Sequence, residues 1–289
     1  MRKGCVTMSV KIIVDSASDI TSNEAKSLGI ELIPIEVRFK NEEYLDGVNL
    51  EHKTFYEKLI ESDELPKTSQ INPYRFEELF EKFTNNGDEV ICITLSSKLS
   101  GTFNNAKKVI DKFKDKVYVV DSMNACAGER ILCEYAIKLV NEGKSAKEIY
   151  EELETVKLKI NVIAVVDTLK YLKKGGRISP LVAFAGEMFS IKPVIGVVKG
   201  EVKLLGKAIG SKKSNNMLNT MVAEKGGIDF NMPFAVIYSG LDKSMLNKYV
   251  EDSLHLWKNY TNKIPEHMIG CTIGTHVGPG AVGVAFFQK

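Results

Sequence analysis

Short apolar runs alternate with segments of helical spacing through the first half of the chain. The apolar runs lie at Val10 to Asp15, Val90 to Leu95 and Val117 to Asp121. Apolar residues at helical spacing follow at Ala125 to Asn141 and at Ser145 to Val156. Short buried strands separated by helices are typical of a parallel sheet with helices on both faces. This half is therefore predicted to form a three-layer parallel α/β sheet domain.

The second half has a different pattern of apolar residues. Two apolar runs, Ile191 to Val198 and Glu201 to Ile209, flank Lys199-Gly200 and predict a β-hairpin. A hairpin among well-separated strands favours a mixed sheet, so this half is predicted to form a mixed-sheet α/β domain. The other elements predicted in this half are strands at Asn161 to Val166, Phe234 to Ser239, His267 to Ile273 and Ala281 to Phe287, and helices from Pro180, at Ser211 to Lys225 and at Asp242 to Tyr260. In the first half, Ile30 to Phe39 is also predicted to be a strand.

Length and composition limit the classes of protein that remain. A chain of 289 residues, at roughly 100–200 residues per domain, predicts two domains, which we place at 9–158 and 159–289. The apolar content of 44% and charged content of 26% exclude a disordered chain. The net charge of +2 argues against a general nucleic-acid binder.

The cysteines and the chain ends predict a cytoplasmic protein. The five cysteines form no CxxC pair, and their odd number is a poor basis for a disulfide framework. Residues 1–8 contain no apolar stretch, so no leader peptide is expected, and Met8 could be the native start. The uncharged stretch Met268 to Gln288 is interrupted by glycines and Pro279, so stable membrane insertion is not expected.

Small polar residues follow the predicted strands of the first half. They occur as DSASD from Asp15, KTSQ from Lys67 and SSKLSGT from Ser96. Ligands bind beyond the carboxyl ends of parallel strands, so these segments predict a shared anionic ligand. Ser100 is predicted to cap the following helix, whose free N–H groups favour a carboxylate or phosphate, and Gly101 would let that ligand approach. The alternative is that these residues only cap helices and turns.

A glycine-rich segment near the C-terminus contains the other candidate residue. GTHVGPG, from Gly274 to Gly280, is predicted to be a loop between two apolar strands, in which His276 could donate a hydrogen bond to an anion. The alternative is a tight hairpin with a solvated histidine. The remaining histidines, His52, His255 and His267, are interpreted as surface or helix residues, and no zinc site is predicted.

A basic segment, LKYLKKGGRIS from Leu169 to Ser179, surrounds a double glycine. A charge run of this kind is usually a solvated face. An arginine held on a turn also suits recognition of phosphate or of a protein partner. Arg177, with Lys173 and Lys174, is therefore a candidate docking site.

These segments, together with DS at Asp121 and GTHVGPGAVGVAF from Gly274, resemble the DegV family in sequence and in order. The resemblance implies a DegV-like two-domain fold. It also implies a fatty-acid-binding protein that is the acyl-carrying, non-catalytic subunit of bacterial fatty-acid kinase. A separate ATP-dependent subunit would phosphorylate the bound acid, and the acyl phosphate would enter phospholipid synthesis.

The resemblance also implies where ligand and partner bind. A palmitate- or oleate-like acid would place its carboxylate in the cleft between the domains and its tail in an apolar tunnel, with 181–190 and 191–198 as one wall. Docking of the kinase subunit would involve Arg177, Lys173 and Lys174, and no metal or further cofactor is implied. The ligand-binding set it implies is Thr68, Ser69, Ser96, Ser97, Ser100, Gly101 and His276.

Three other functions fit parts of the sequence. Ser100, Asp121 and His276 occur in the α/β-hydrolase order of nucleophile, acid and base, although the GxSxG elbow is missing. An acyl hydrolase is therefore one alternative. A sugar- or dihydroxyacetone-type kinase subunit and a regulatory protein that binds another anionic amphiphile are the others.

Overall fold

The computed structural model describes residues 9–179 and 191–289. In these ranges strands and helices mostly alternate in the first half, and the second half contains a β-hairpin. In chain order they are β1 (Val10–Asp15), α1 (Ser22–Leu28), β2 (Glu31–Ile33), β3 (Glu36–Phe39), β4 (Glu42–Leu45), α2 (His52–Glu61), β5 (Lys67–Thr68), α3 (Pro73–Asn85), β6 (Glu89–Thr94), α4 (Thr102–Lys107), β7 (Val117–Asp121), α5 (Ala127–Asn141), α6 (Ala146–Val156), β8 (Ile160–Val165), α7 (Lys170–Lys174), β9 (Ile191–Val198), β10 (Glu201–Ile209), α8 (Ser211–Glu224), β11 (Phe234–Tyr238), α9 (Ser244–Asp252), α10 (Leu254–Trp257), β12 (Glu266–Met268), α11 (Cys271–Val277) and β13 (Val282–Phe287).

The first sheet is parallel and has helices on both faces. Its strand order is β2-β1-β6-β7. Ile12 and Val14 on one face pack with α5 and α6, while Ile13 on the other face packs with Phe76 and Phe80 of α3. The predicted three-layer parallel arrangement is confirmed.

The second sheet is mixed. Its order is β10-β9-β8-β13-β11-β12, in which only β11 and β12 are parallel. The predicted hairpin is confirmed: Lys199 and Gly200 both have positive φ, at 51° and 84°, as a two-residue turn that matches the strand twist requires. The two sheets are joined by one apolar core in which α5 packs between them. A domain division at 158 stays a prediction.

The predicted strand from Ile30 to Phe39 is wrong as a single element. The chain breaks into β2 and β3 around Pro34, and β3 joins a separate antiparallel sheet with β4 and β5. Pro34 has no N–H to donate to the ladder of the parallel sheet. The N–H of Ile35 donates to Ser16 Oγ at 2.9 Å. The break brings Thr68, on β5, beside Val37 of β3.

The predicted strand from His267 to Ile273 and the loop after it are also wrong. Only Glu266–Met268 is a strand, and Cys271–Val277 forms helix α11, which carries His276. Gly274 allows this helix to pack against α2, because a Cβ there would lie 2.6 Å from Phe55 Cε1. Gly274 therefore serves helix packing, whereas Gly278 and Gly280, with φ of 71° and 83°, form the turn after the helix.

Two further predictions concern the second half. The helix predicted at Asp242 to Tyr260 divides into α9 and α10. The helix predicted from Pro180, and with it the wall expected from 181–190, lies outside the described residues. Within the described residues, no helix has the length and apolar character needed to cross a membrane.

Candidate functional site

An apolar cavity of about 240 Å³ lies between the carboxyl edge of the parallel sheet and one face of the mixed sheet. We call it the inner cavity. Alternate residues of β8 and β9 point into it, because side chains alternate between the two faces of a strand. Its described apolar lining includes Ile35, Leu95, Leu99, Val162, Ala164, Val166, Ile195, Val197, Val202, Ile237, Ile269 and Ile273.

The polar lining of the inner cavity comes from distant parts of the chain. Thr68 and Ser100 approach from the side of the parallel sheet, Arg177 from the segment after α7, and His276 from α11. The Thr68 hydroxyl lies 3.1 Å from His276 Nε2, so one of the two donates to the other according to the histidine tautomer. The predicted residues brought together here are Thr68, Ser69, Ser100, Gly101 and His276.

His276 is largely buried and neutral at pH 7. Burial, and then the charge of Arg177, lower the pKa of His276 to about 4. Its Nδ1 is buried and has no hydrogen-bond partner among the described residues. Gly175 makes this packing possible, because a Cβ at that position would lie 2.3 Å from Nδ1.

The Ser100 region differs in detail from the prediction. Helix α4 has only six residues and begins after Gly101, so Ser100 is not the N-cap residue. Ser100 Oγ nevertheless accepts a hydrogen bond from the Thr102 N–H at 3.3 Å. A Cβ on Gly101 would lie 1.8 Å from Oε1 of Gln70, so a larger residue there would displace the end of that side chain. Gln70 is itself a lining residue that sequence reasoning did not select.

Arg177 lines the inner cavity rather than standing free on the surface. Its Nε donates to the Leu99 carbonyl at 3.3 Å and its Nη1 to the Gly175 carbonyl at 2.6 Å. Burial lowers its pKa, and within the described ranges it forms no ion pair with a carboxylate. A half-buried guanidinium without a carboxylate partner is suited to a bound anion.

A second cavity of about 310 Å³ lies on the outer side of the same residues. We call it the outer groove. Thr68, Arg177 and His276 line both cavities and form what we call the neck between them. The remaining described lining of the outer groove is Leu65, Pro66, Lys67, Lys174, Gly175 and Thr275.

Three predicted residues lie outside both described linings. The Ser96 hydroxyl is buried and donates to the Gly200 carbonyl at 2.8 Å, which fixes the β9–β10 turn. The Ser97 N–H donates to Asp121 Oδ1 at 3.2 Å. Lys173 is exposed on α7, whereas Lys174 next to it lines the outer groove. Ser96 and Ser97 therefore hold neighbouring loops together and are not in the described lining of either cavity.

The hydrolase arrangement is not assembled in the described parts of the chain. No hydrogen bond there joins Ser100 to His276 or His276 to Asp121. Asp121 Oδ1 instead accepts the N–H groups of Ser97 and Met123, and His276 Nε2 is paired with Thr68.

A buried polar cluster holds the start of α11. Asp46 accepts the N–H groups of Cys271 at 3.1 Å and Thr272 at 2.9 Å. His52 Nε2 lies 3.6 Å from the same carboxylate. His52 is 8% exposed and is the first residue of α2, so of the two interpretations, surface residue or helix residue, the second is correct. With Cys271 these side chains bring three possible metal-ligand atoms within 4.8 Å, but both oxygens of Asp46 already anchor the helix backbone.

Three carboxyl groups, Asp15, Asp19 and Glu129, are buried below the inner cavity, next to Ala125 and Cys126. Burial raises the pKa of Asp15 and of Asp19 to about 7. Burial, together with the neighbouring carboxylates, raises the pKa of Glu129 well above its ordinary value. Neither carboxyl oxygen of Glu129 has a hydrogen-bond partner among the described residues.

We expect Glu129→Gln to stabilise the protein increasingly as the pH rises. In the unfolded chain a glutamate ionises near pH ~4.3, whereas buried Glu129 keeps its proton to higher pH. The folded state therefore binds more protons over this range, and the free energy of unfolding falls as the pH rises. Chemical denaturation of both proteins from about pH 5 to about pH 9 measures the difference. A difference that does not change with pH would contradict the assignment.

The comparisons with known proteins agree with this geometry. The family model "Uncharacterised protein, DegV family COG1307" matches residues 9–289. A DegV domain-containing protein of Caldanaerobacter subterraneus subsp. tengcongensis is 34% identical over 284 residues, covering 97% of this chain and 99% of that protein. Protein DegV of Bacillus subtilis is 30% identical over 290 residues, covering 98% of this chain and 100% of that one.

Solved structures show the same architecture. A structure described as fatty acid binding of a DegV family protein from Thermus thermophilus has a TM-score of 0.86 at 26% identity, covering 98% of this chain and 100% of that one. The crystal structure of DegV, a fatty acid binding protein from Bacillus subtilis, has a TM-score of 0.83 at 29% identity, with coverage of 98% and 100%. The resemblance seen in the sequence is confirmed, and the chain belongs to the DegV family.

Proposed function

We propose that this protein binds one long-chain fatty acid, with the tail in the inner cavity and the carboxylate at the neck. The observation that carries the proposal is the cavity itself, which is apolar along its walls and polar where Thr68, Arg177 and His276 meet. The fatty-acid-binding DegV proteins of similar structure support it.

The head group has several donors within the neck. The Ser100 hydroxyl can donate one hydrogen bond. Neutral His276 has a single ring N–H, and when Nε2 donates it to Thr68, the Thr68 hydroxyl is free to donate to the carboxylate. Arg177 supplies the positive charge, since its pairs with Leu99 and Gly175 are to carbonyls. We therefore propose that Arg177 binds the carboxylate and also takes part in docking of the kinase subunit, whereas the sequence had suggested docking alone.

The tail supplies most of the binding free energy. Each buried CH₂ contributes about 0.8 kcal/mol, so a palmitate- or oleate-like chain offsets the cost of association. The residues that line the inner cavity, such as Val162 and Ala164 on β8 and Ile195 and Val197 on β9, offer it apolar contacts.

The bound acid is presented to a separate ATP-dependent kinase subunit in the cytoplasm. A carboxylate oxygen attacks the γ-phosphorus of ATP, the bond to the β-phosphate oxygen breaks, and ADP leaves with that oxygen. The acyl phosphate then serves phospholipid synthesis. The outer groove offers the route to the carboxylate, and the exposed lysines of α7, Lys173 and Lys174, are suited to docking. In the proposed division, 9–158 contributes Thr68 and Ser100, and 159–289 contributes Arg177 and His276.

Purified protein is expected to carry a long-chain fatty acid and, after lipid removal, to rebind palmitate or oleate. Solvent extraction with mass spectrometry identifies the bound lipid, and calorimetry on delipidated protein measures rebinding. Absence of an acyl chain, combined with no binding of either acid, would overturn the proposal. Hydrolysis of added acyl esters that Ser100→Ala abolishes would instead favour the hydrolase.

A further inference from the structure

Three side chains of different metal-ligand types meet at the start of α11. Asp46, His52 and Cys271 are all buried, and a carboxylate oxygen, an imidazole nitrogen and a thiol sulfur lie within 4.8 Å of one another. His52 Nε2 is 3.6 Å from Asp46 Oδ1. Zinc bonds of about 2.0 to 2.3 Å place ligand atoms roughly 3 to 4 Å apart, so this spacing suits one shared ion. We call the three residues the α11 cluster.

The donor set of the α11 cluster favours zinc over other divalent ions. Thiolate and imidazole are preferred ligands of Zn²⁺, which also accepts a carboxylate, whereas Ca²⁺ and Mg²⁺ take oxygen ligands. Within the described ranges no other three such side chains come this close. The ligands lie after β4, at the first residue of α2 and at the first residue of α11, so their spacing along the chain had not predicted a zinc site.

The hydrogen bonds of Asp46 are compatible with a bound ion. Its Oδ1 accepts the Cys271 N–H at 3.1 Å and its Oδ2 accepts the Thr272 N–H at 2.9 Å. An ionised carboxylate has about four lone-pair sites, so these two bonds leave others open. Carboxylates that bind metals are themselves hydrogen-bonded. The backbone of α11 therefore orients Asp46 and leaves it able to bind an ion.

Asp19 supplies an unused acceptor beside the α11 cluster. A Cβ on Gly270 would lie 2.8 Å from His52 Nε2 and 3.1 Å from Asp19 Oδ1, so both side chains lie against the same glycine. Asp19 Oδ1 accepts the Gly270 N–H at 2.8 Å. Asp19 Oδ2 is buried and has no hydrogen-bond partner among the described residues. It can accept a hydrogen bond from a water molecule that serves as a fourth ligand.

We propose that the α11 cluster is a zinc site, with Asp46, His52 and Cys271 as protein ligands and a water beside Asp19 in the fourth position. On binding, the S–H bond of Cys271 breaks, its proton passes to solvent and an S–Zn bond forms, while neutral His52 binds through a ring nitrogen. The ion joins the loop after β4, α2 and α11. None of the three ligands belongs to the described lining of either cavity, so the inference is independent of the proposed function.

Cobalt(II) tests the site in the untagged full chain. The protein is unfolded in denaturant with a chelator, freed of both, and refolded with equimolar Co²⁺. We expect a thiolate-to-cobalt charge-transfer band in the near ultraviolet and the intense visible d–d bands of a four-coordinate ion. Equimolar Zn²⁺ should then abolish these bands, because thiolate ligands favour Zn²⁺. Zinc should also raise the melting temperature of the refolded protein, since it binds the folded state.

Cys271→Ser and Cys133→Ser are the matched variants. Each removes one buried thiol, but Cys133 packs in the apolar core on α5 and does not belong to the cluster. Cys271→Ser should lose the charge-transfer band, and its zinc affinity should fall by at least the roughly 10- to 100-fold that loss of an outer-shell partner costs. Cys133→Ser should keep the spectrum and affinity of the parent. His52→Gln removes a ligand without changing a thiol, so it should also weaken zinc binding, and it replaces Cys271→Ser if that variant fails to refold.

The outcomes decide whether the cluster binds metal. A refolded parent that shows only the spectrum of hydrated Co²⁺ and no rise in melting temperature with Zn²⁺ would overturn the site. The contact between His52 and Asp46 would then be an ion pair alone. A charge-transfer band that persists in Cys271→Ser, or equal zinc affinities of His52→Gln and the parent, would overturn it as well, because the ion would then be bound elsewhere. Loss of palmitate binding in the parent would count against the proposed function only.

Discussion

Palmitate is expected to bind roughly 100-fold or more weakly when Thr68→Val and Ser100→Ala are combined. Each substitution removes a hydroxyl that can donate to the carboxylate, and a hydrogen bond to a charged group contributes about 1.5–3 kcal/mol. Valine keeps the shape of Thr68, so β5 stays paired with β3. Calorimetric titration of delipidated protein measures the affinity, and thermal melting checks that both proteins remain folded.

Ser97→Ala is the matched control for these substitutions. Ser97 lies in the same loop as Ser100 but outside the described lining of the inner cavity, and its described contact uses the backbone N–H. It should therefore bind palmitate as the parent does. Equal affinities of the double variant and Ser97→Ala would place the head group away from the neck, and a large loss in Ser97→Ala would point to the Ser96–Ser97 turn instead.

Filling the inner cavity with a large side chain should weaken palmitate binding about as much as loss of the two hydroxyls. Val197→Trp puts an indole where the acyl chain would lie, because Val197 on β9 points into the cavity. Displacing about four CH₂ groups removes about 3 kcal/mol, which corresponds to a roughly 100-fold loss of affinity. Protein purified with this substitution should also carry less acid, which extraction and mass spectrometry would show.

The neighbouring residue offers the control. Val198 lies on the opposite face of β9 and is 37% exposed, so Val198→Trp adds the same side chain outside the cavity. It should retain the bound acid of the parent protein. Equal acid content in Val197→Trp and Val198→Trp, with both proteins folded, would show that the acyl chain does not occupy this cavity.

Features that depend on near neighbours along the chain were predictable from the sequence. The alternation of strands and helices led to the parallel sheet, since its strands and covering helices follow each other in order. The β9–β10 hairpin followed from Gly200 between two apolar runs, because glycine adopts at no steric cost the positive φ that such a turn requires. The polar segments after β6 and before α3 were recognisable in the same way, and Thr68 and Ser100 do line one cavity.

Features that depend on contacts across the molecule were not predictable. Cys271–Val277 is a helix whose first N–H donates to Asp46, 225 residues earlier, whereas its β-branched residues and glycines had favoured a strand and turn. From its neighbours in the sequence, Arg177 is interpreted as a surface charge next to a glycine turn. Its hydrogen bond to Leu99, 78 residues earlier, places it at the neck.

The chain's own sequence thus determined the sheet types, the hairpin and the small polar segments that follow the strands, because these depend on backbone preferences over a few residues. Only the tertiary structure decided that His276 stands on a helix, neutral and paired with Thr68, which lies 208 residues earlier. The physical reason is burial. A hydrogen bond or a shifted pKa that depends on exclusion of water exists only once distant segments have packed together.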